Sequence, residues 1–220
     1  CKKVLLISTD KAVRPTNNMG ASKRIAENLF QSFAENNNTI FSIVRFGNVV
    51  NSKGSALPLF NDQIQNRMPV TVTHPEIKRY FMTIPDAAKL ILESNFLSTD
   101  INKCKIYFLD MGKPIKILDL VKKMISLSGL SIKDKKNING DIQIKFIGLR
   151  PGEKLNEELV IGNDYIRSRN KNILFCNEDF IEKKEIIEIC NLIKKAIEIN
   201  DYKIIYDIFN KYVEGFKKKI

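Results

Sequence analysis

Residues 8–23 read Ser-Thr-Asp-Lys-Ala-Val-Arg-Pro-Thr-Asn-Asn-Met-Gly-Ala-Ser-Lys. Thr9, Asp10 and Lys11 are consecutive groups of the kind that take up and release protons, and Lys23 adds a second ammonium. Met19 and Lys23 stand four residues apart, which puts them on one face of a helix if a helix starts here. A hydroxyl, a carboxylate and two ammonium groups can then converge on one small volume. Spacing alone leaves the plain alternative open, in which Asp10 and Lys11 are loop charges and Lys23 is a solvated helix residue.

The flanking elements decide whether such a convergence can form. Val4–Ser8, Val-Leu-Leu-Ile-Ser, is the short apolar run of a buried parallel strand. Pro15 interrupts any helix in the stretch that follows, and Asn17 or Asn18 can cap a new one. Ala21, Ile25, Ala26, Leu29, Phe30 and Phe33 then fall on one apolar helix face. Residues 40–46, Ile-Phe-Ser-Ile-Val-Arg-Phe, form the next strand. Strand, loop, helix, strand is the rhythm of an α/β fold with a parallel sheet. Ligands of such sheets bind beyond the carboxyl ends of the strands, where Ser8 to Lys11 and the start of the helix lie.

Further along, a loop of small and polar residues follows Phe46, and a helix is expected near Pro58. A strand is expected at residues 70–73 and another helix from Pro85. The apolar spacing predicts a strand at 105–110, a turn at Met111-Gly112 and an amphipathic helix through Ile117, Leu118, Val121, Met124 and Ile125. A strand follows at 141–146, and Gly-Leu-Arg-Pro-Gly-Glu-Lys (148–154) is a loop expected to open onto a helix through Leu159. The last stretch, about 181–216, has charged and apolar residues at helical spacing and reads as one or two packing helices.

Composition narrows the function classes. Lys and Arg number 36 against 25 Asp and Glu, a net charge of +11. The lysines are spread along the chain with no stretch alternating basic and exposed aromatic residues, so no nucleic-acid partner is expected. Cys1, Cys104, Cys176 and Cys190 form no Cys-x-x-Cys pair and there is one His, which argues against a metal site and for reduced thiols in the cytoplasm. No apolar run approaches the length that spans a bilayer. The chain opens directly into a strand without Met or a signal peptide, and is expected to be part of something longer.

The segment Ser-Thr-Asp-Lys-Ala-Val-Arg-Pro-Thr-Asn-Asn-Met-Gly-Ala-Ser-Lys-Arg (8–24) resembles the active-site segment of the extended short-chain dehydrogenase/reductase superfamily. More narrowly, it is similar to the UDP-N-acetylglucosamine 4,6-dehydratases of polysaccharide biosynthesis. The superfamily pattern Tyr-x-x-x-Lys stands here as Met19-Gly20-Ala21-Ser22-Lys23, and large members of this group carry Met at that position. Residues 45–60, 74–88 and 148–159 resemble further family segments in the same order, the last as Arg-Pro-Gly-Glu-Lys-Leu. The resemblance implies the C-terminal part of a Rossmann-like parallel sheet plus a small α/β substrate-binding lobe. It covers residues 1–170 as a partial catalytic and substrate-binding domain and leaves 171–220 as a helical tail.

The implied reaction is NAD- or NADP-dependent 4,6-dehydration of a UDP-N-acetylhexosamine. Oxidation at C4 acidifies the C5 proton, the C6 hydroxyl leaves, and the hydride returns to C6. The resemblance makes Lys11 the base at C5, Asp10 the acid at the C6 hydroxyl and Thr9 a partner of the C4 oxygen. Met19 supplies no phenol, so the C4 hydroxyl proton passes to Thr9, Asp10 or a water. Ser8, Lys23 and Val49 are expected at the cofactor. Asn48, Lys53, Gly54, Ser55, Arg150 and Glu153 are expected at the UDP-sugar, with Arg150 on the diphosphate. Arg79 is either a further binding residue or a structural ion pair, and His74 a loop hydrogen-bonder. The residues contain no Gly-x-x-G-x-x-G turn, so the dinucleotide is expected to bind mainly through a preceding half. The related alternatives are a UDP-sugar epimerase and a non-catalytic UDP-sugar-binding remnant. A homo-oligomer is left open. Cytoplasmic residence is expected, with attachment to the inner face of a membrane only through a segment outside these residues.

Overall fold

The computed structural model describes residues 1–52, 55–162 and 164–216. The chain begins with β1 (Lys3–Thr9), a single 3-10 turn (Asp10–Ala12), α1 (Asn18–Ala34), β2 (Ile40–Phe46), β3 (Asn48–Val49) and α2 (Ala56–Gln65). It continues through β4 (Val70–Val72), β5 (Lys78–Arg79), β6 (Phe81–Met82), α3 (Ile84–Leu97), β7 (Lys105–Leu109), β8 (Ile115–Lys116) and α4 (Ile117–Leu127). Then come β9 (Ile132–Lys133), β10 (Ile142–Phe146), β11 (Ile166–Arg167), β12 (Ile173–Cys176), α5 (Lys183–Glu198) and α6 (Tyr202–Tyr212). No helix among the described residues is long and apolar enough to cross a membrane.

Two compact units result. The first comprises Cys1–Phe46, Ala88–Asp110 and Glu158–Ile220, the second Gly47–Ala87 and Met111–Glu157. The first is built on a five-stranded sheet in the order β1-β2-β7-β12-β11. β1, β2 and β7 run parallel, as the α/β reading requires, with Thr9 opposite Phe46 at the carboxyl end. β12 then pairs antiparallel with β7, and β11 with β12.

β12 departs from the expected helical tail. The boundary expected at residue 170 falls between two paired strands of this sheet, and Ile173 and Cys176 are buried within it. A run as short as Ile-Leu-Phe-Cys gives no periodicity of its own, and its strand character comes from the neighbours that flank it. The helices expected after it do form. Ile186 and Ile189 of α5 and Ile208 and Phe209 of α6 pack on Ala21 and Ile25 of α1. Farther along α1, Phe30 and Ala34 turn to the sheet beside Ile43, Ile106 and Phe108.

The same helix buries a set of charges. Arg45 of β2 has no exposed surface, and its guanidinium meets the Glu27 carboxylate at 2.7 Å and the Glu178 carboxylate at 2.6 Å. Arg24 joins both acids, at 3.1 Å and 2.8 Å. Two cations and two anions therefore neutralise one another inside the unit. Burial works against the charge on Arg45, but hydrogen bonds and attraction from Glu27 and then Glu178 outweigh it and raise its pKa above the ordinary guanidinium value. Burial likewise opposes charge on Glu178, and Arg45 overcomes it and holds that carboxyl below its ordinary range. Burial, followed by the Glu178 charge, pushes the adjacent Cys176 thiol up to about 12.

In the second unit, β4, β10 and β9 form a parallel sheet, while β3 pairs with β6 and β5 with β8. Phe60 and Ile64 of α2 and Val121 and Ile125 of α4 close a core over Val70, Val72 and Ile142. The helix expected to end at Leu159 is absent. Residues 150–159 run as turns instead, because their backbone groups bond outward. The Leu155 carbonyl accepts from Lys78 N at 2.9 Å and from the Arg79 guanidinium at 3.2 Å. Gly152, at φ +74°, takes a left-handed turn that suits glycine.

The buried charges set a stability test. Glu27→Gln keeps the shape but leaves two buried guanidiniums sharing one carboxylate, so we expect a loss of about 3–5 kcal/mol in denaturant unfolding. A loss under about 1 kcal/mol would mean that the network contributes little to the fold.

Candidate functional site

The site begins where β1 ends. Thr9 is extended and caps the 3-10 turn, its hydroxyl accepting from Lys11 N at 3.3 Å and donating to Asp10 Oδ1 at 2.9 Å. Lys11 Nζ meets the same Oδ1 at 2.9 Å, so one carboxylate oxygen holds both neighbours. Asp10 is 1% exposed, whereas the Lys11 side chain is 30% exposed and reaches the surface. Asp10 Oδ2 is buried with no hydrogen-bond partner among the described residues. A buried, half-satisfied carboxylate is costly in a folded protein and calls for a use.

α1 starts beside this turn because Asn17 caps it, its side-chain oxygen accepting from Gly20 N at 2.8 Å. Gly20 is also a steric requirement. A Cβ there would lie 2.1 Å from the Lys11 carbonyl oxygen and 2.8 Å from Pro15 Cβ. The helix start thus presses directly on the backbone of Lys11. Met19 is nearly half exposed, and Lys23 Nζ reaches back to the Ile7 carbonyl of β1 at 3.4 Å. Thr9, Asp10 and Lys11 are joined by these bonds, and Met19 and Lys23 lie on the helix that starts beside them. An ammonium has three donors, so Lys23 keeps donors for a ribose at the strand end and fits a dinucleotide there. Ser8, also expected at the cofactor, has its hydroxyl engaged internally. It is buried and donates to Glu27 Oε1 at 2.6 Å, which ties β1 to the internal charge network.

The binding residues expected farther along lie in the second unit. Asn48 and Val49 form β3, where Asn48 N donates to the Tyr80 carbonyl at 3.0 Å. Ser55 occupies the cap position of α2 without a capping bond, and its hydroxyl is buried without a partner among the described residues. Lys53 and Gly54 lie outside the described residues. Arg150 is exposed, and its guanidinium has no ion-pair partner among the described residues. Its loop is fixed from below, where Glu153 Oε2 accepts from Arg150 N at 3.0 Å. Glu153 Oε1 accepts from Thr73 at 3.2 Å and from Arg79 at 3.3 Å. The expectation of Glu153 as an acceptor for ribose or uracil is thus modified, since its carboxylate already carries internal bonds. Arg79 is buried and also faces Glu157 at 3.8 Å, the structural ion-pair alternative. His74 Nδ1 accepts from Glu76 N at 3.1 Å within its own loop. Among the described residues no cluster of His, Cys, Asp and Glu could hold a metal.

Sequence reasoning missed Glu27, Arg45 and Glu178, which position the site without entering it. One signal was available: Arg45 interrupts an otherwise apolar strand, and a charge there needs a buried partner. Gly20 was missed as well, because its constraint is a contact with a residue nine positions back.

Comparison with known proteins accords with this layout. The chain is 55% identical over 163 residues to the capsular polysaccharide biosynthesis protein CapD of Staphylococcus aureus, covering 74% of this chain and 26% of CapD. It is 33% identical over 171 residues to a UDP-glucose 4-epimerase of Rickettsia bellii, covering 76% of this chain and 46% of the epimerase. It therefore spans less than half the length of either relative. The crystal structure of Pen from Bacillus thuringiensis superposes with a TM-score of 0.65 at 30% identity, over 86% of this chain and 62% of Pen. dTDP-glucose 4,6-dehydratase from Bacillus anthracis in complex with NAD superposes at 0.55, over 68% of this chain and 51% of that one. At 15% identity that likeness shows the Rossmann-like fold alone. The model of the polysaccharide biosynthesis protein family matches residues 1–179, a span that holds Thr9, Asp10, Lys11 and Arg150 alike, and the chain belongs to that family.

Proposed function

We propose that the protein carries out NAD- or NADP-dependent 4,6-dehydration of a UDP-N-acetylhexosamine, giving a 4-keto-6-deoxy sugar nucleotide for a surface polysaccharide. The observation that carries this reading is the buried Asp10 carboxylate gripping Thr9 and Lys11 through one oxygen and leaving the other without a partner. The names of CapD and of the UDP-glucose 4-epimerase support the substrate class.

The Asp10–Lys11 ion pair and its neutral tautomer differ by one proton moved across 2.9 Å. In the neutral tautomer Lys11 takes the C5 proton and Asp10 gives its proton to the departing C6 hydroxyl, releasing water. Lys11 later returns a proton to C5. The proton lost from the C4 hydroxyl in the first step leaves through the Thr9 hydroxyl to water, and a proton from water later restores the one that Asp10 has given away. Bound NAD or NADP would accept the hydride from C4 and return it to C6, and Lys23 and Val49 would hold it. Arg150 would meet the diphosphate, an anion suited to a planar guanidinium. An epimerase reading draws on the Rickettsia bellii relative, but epimerisation uses no acid at C6 and would leave Asp10 only a part in moving the C4 proton.

Two measurements test the reading on the protein as its gene encodes it. With UDP-N-acetylglucosamine and NAD, mass spectrometry should detect a product lighter by one water. Lys11→Ala and Asp10→Asn should each lower that rate by about 10²–10⁴-fold. A Lys11→Ala protein retaining full turnover contradicts the assignment, and a product of unchanged mass favours the epimerase. In calorimetry, Arg150→Ala should weaken UDP binding by about 10–100-fold, the loss of a charge-assisted pair. Unchanged affinity would remove Arg150 from the diphosphate site.

A further inference from the structure

The loop of residues 12–17 links the Asp10-Lys11 turn to the helix that carries Met19 and Lys23, and it is held from two sides. On one side, Gly20 packs against the Lys11 carbonyl and Pro15. On the other stands the C-terminal segment after α6. A Cβ on Gly215, whose φ is +82°, would lie 2.7 Å from Arg14 Cβ and 2.8 Å from Arg14 Cα. Arg14 itself has φ +39°, a left-handed conformation that a non-glycine residue keeps only when its surroundings impose it. Its guanidinium faces Glu214 and Glu158, each at 3.5 Å. One residue into α1, Asn18 Nδ2 donates to the Tyr206 hydroxyl of α6 at 3.0 Å.

The brace is anchored from beneath. Val213 and Phe216, on either side of the Glu214-Gly215 turn, are buried in the cluster that also holds Ala21 and Ile25 of α1. The turn therefore cannot withdraw without exposing apolar surface. Its ion pairs are too exposed to contribute much, so the constraint on Arg14 is chiefly steric. Apart from Glu158 and Gly20, this support lies at residues 206–216, past the 1–179 span matched by the family.

We propose that the C-terminal helix pair is a positioning device for the reaction, in which Tyr206 and the Glu214-Gly215 turn fix the 12–18 loop and, through it, the backbone of Lys11. This rests on the reading of Thr9, Asp10 and Lys11 as the proton-moving residues. Tyr206, Glu214 and Gly215 touch no reacting group and act only through the loop.

The test compares Gly215→Ala and Tyr206→Phe with the parent protein by hydrogen exchange and by kinetics. Amides of residues 12–18 should exchange at least about tenfold faster in Gly215→Ala, with those of β2 unchanged. The dehydration kcat should fall about tenfold in Gly215→Ala and a few-fold in Tyr206→Phe, with KM for the UDP-sugar unaltered. Should Gly215→Ala fail to fold, Tyr206→Phe carries both readouts. Unchanged exchange at residues 12–18, or kcat unchanged with the loop loosened, overturns the proposal. A parent protein with no dehydration would sink the dehydratase reading instead, and exchange alone would then decide whether the brace exists.

Discussion

Arg45 carries a full charge with no exposed surface, and the first unit is arranged around keeping that charge paired. An isolated guanidinium in such a place would cost several kcal/mol. Glu27 comes from α1 and Glu178 from the chain just past β12, so satisfying Arg45 fixes α1 and the end of β12 against β2. Ser8 joins through Glu27 and brings in the last turn of β1. The register of β1 against α1 is therefore specified by hydrogen bonds of defined geometry as well as by apolar packing. That register determines where Thr9, Asp10 and Lys11 emerge from the strand.

Thr9, Asp10 and Lys11 depend on this frame but are built differently from it. Within the network each carboxylate oxygen of Glu27 and Glu178 has a partner. Asp10 is as deeply buried, yet it leaves one oxygen without a partner among the described residues. Gln31 Oε1 and Ser94 Oγ are also buried without a partner, but Asp10 is the one carboxylate so placed among the described residues, and in the proposed reaction a substrate would complete its set. Gly20 serves the same end at the backbone level, since only a residue without Cβ lets the helix start touch the Lys11 carbonyl.

Much of this was legible in the sequence, for physical reasons. Val4–Ser8 and residues 40–46 are apolar runs bounded by polar loops, and both became parallel strands in register. Asn17 at the mouth of an apolar-periodic stretch became the cap of α1. The grouping of Thr9, Asp10, Lys11 and Lys23 followed from adjacency and helical spacing, which are local properties. What escaped was non-local. β12 is a strand because β7 and β11 flank it, and the loop of residues 150–159 avoids helix because Lys78 and Arg79 claim the Leu155 carbonyl. Glu153 likewise looked like a free acceptor until Thr73 and Arg79, some seventy to eighty residues away, proved to be its partners.

The fate of the C5 proton tests the central claim most directly. Turnover of UDP-N-acetylglucosamine in deuterium oxide, followed by NMR of the sugar product, reports whether C5 is deprotonated and reprotonated by a group that exchanges with solvent. With Lys11 as the base, the product should be a 4-keto-6-deoxy sugar carrying deuterium at C5. A product that retains the C6 hydroxyl and its original C5 proton would contradict the dehydratase assignment and leave Asp10 and Lys11 without the roles given to them.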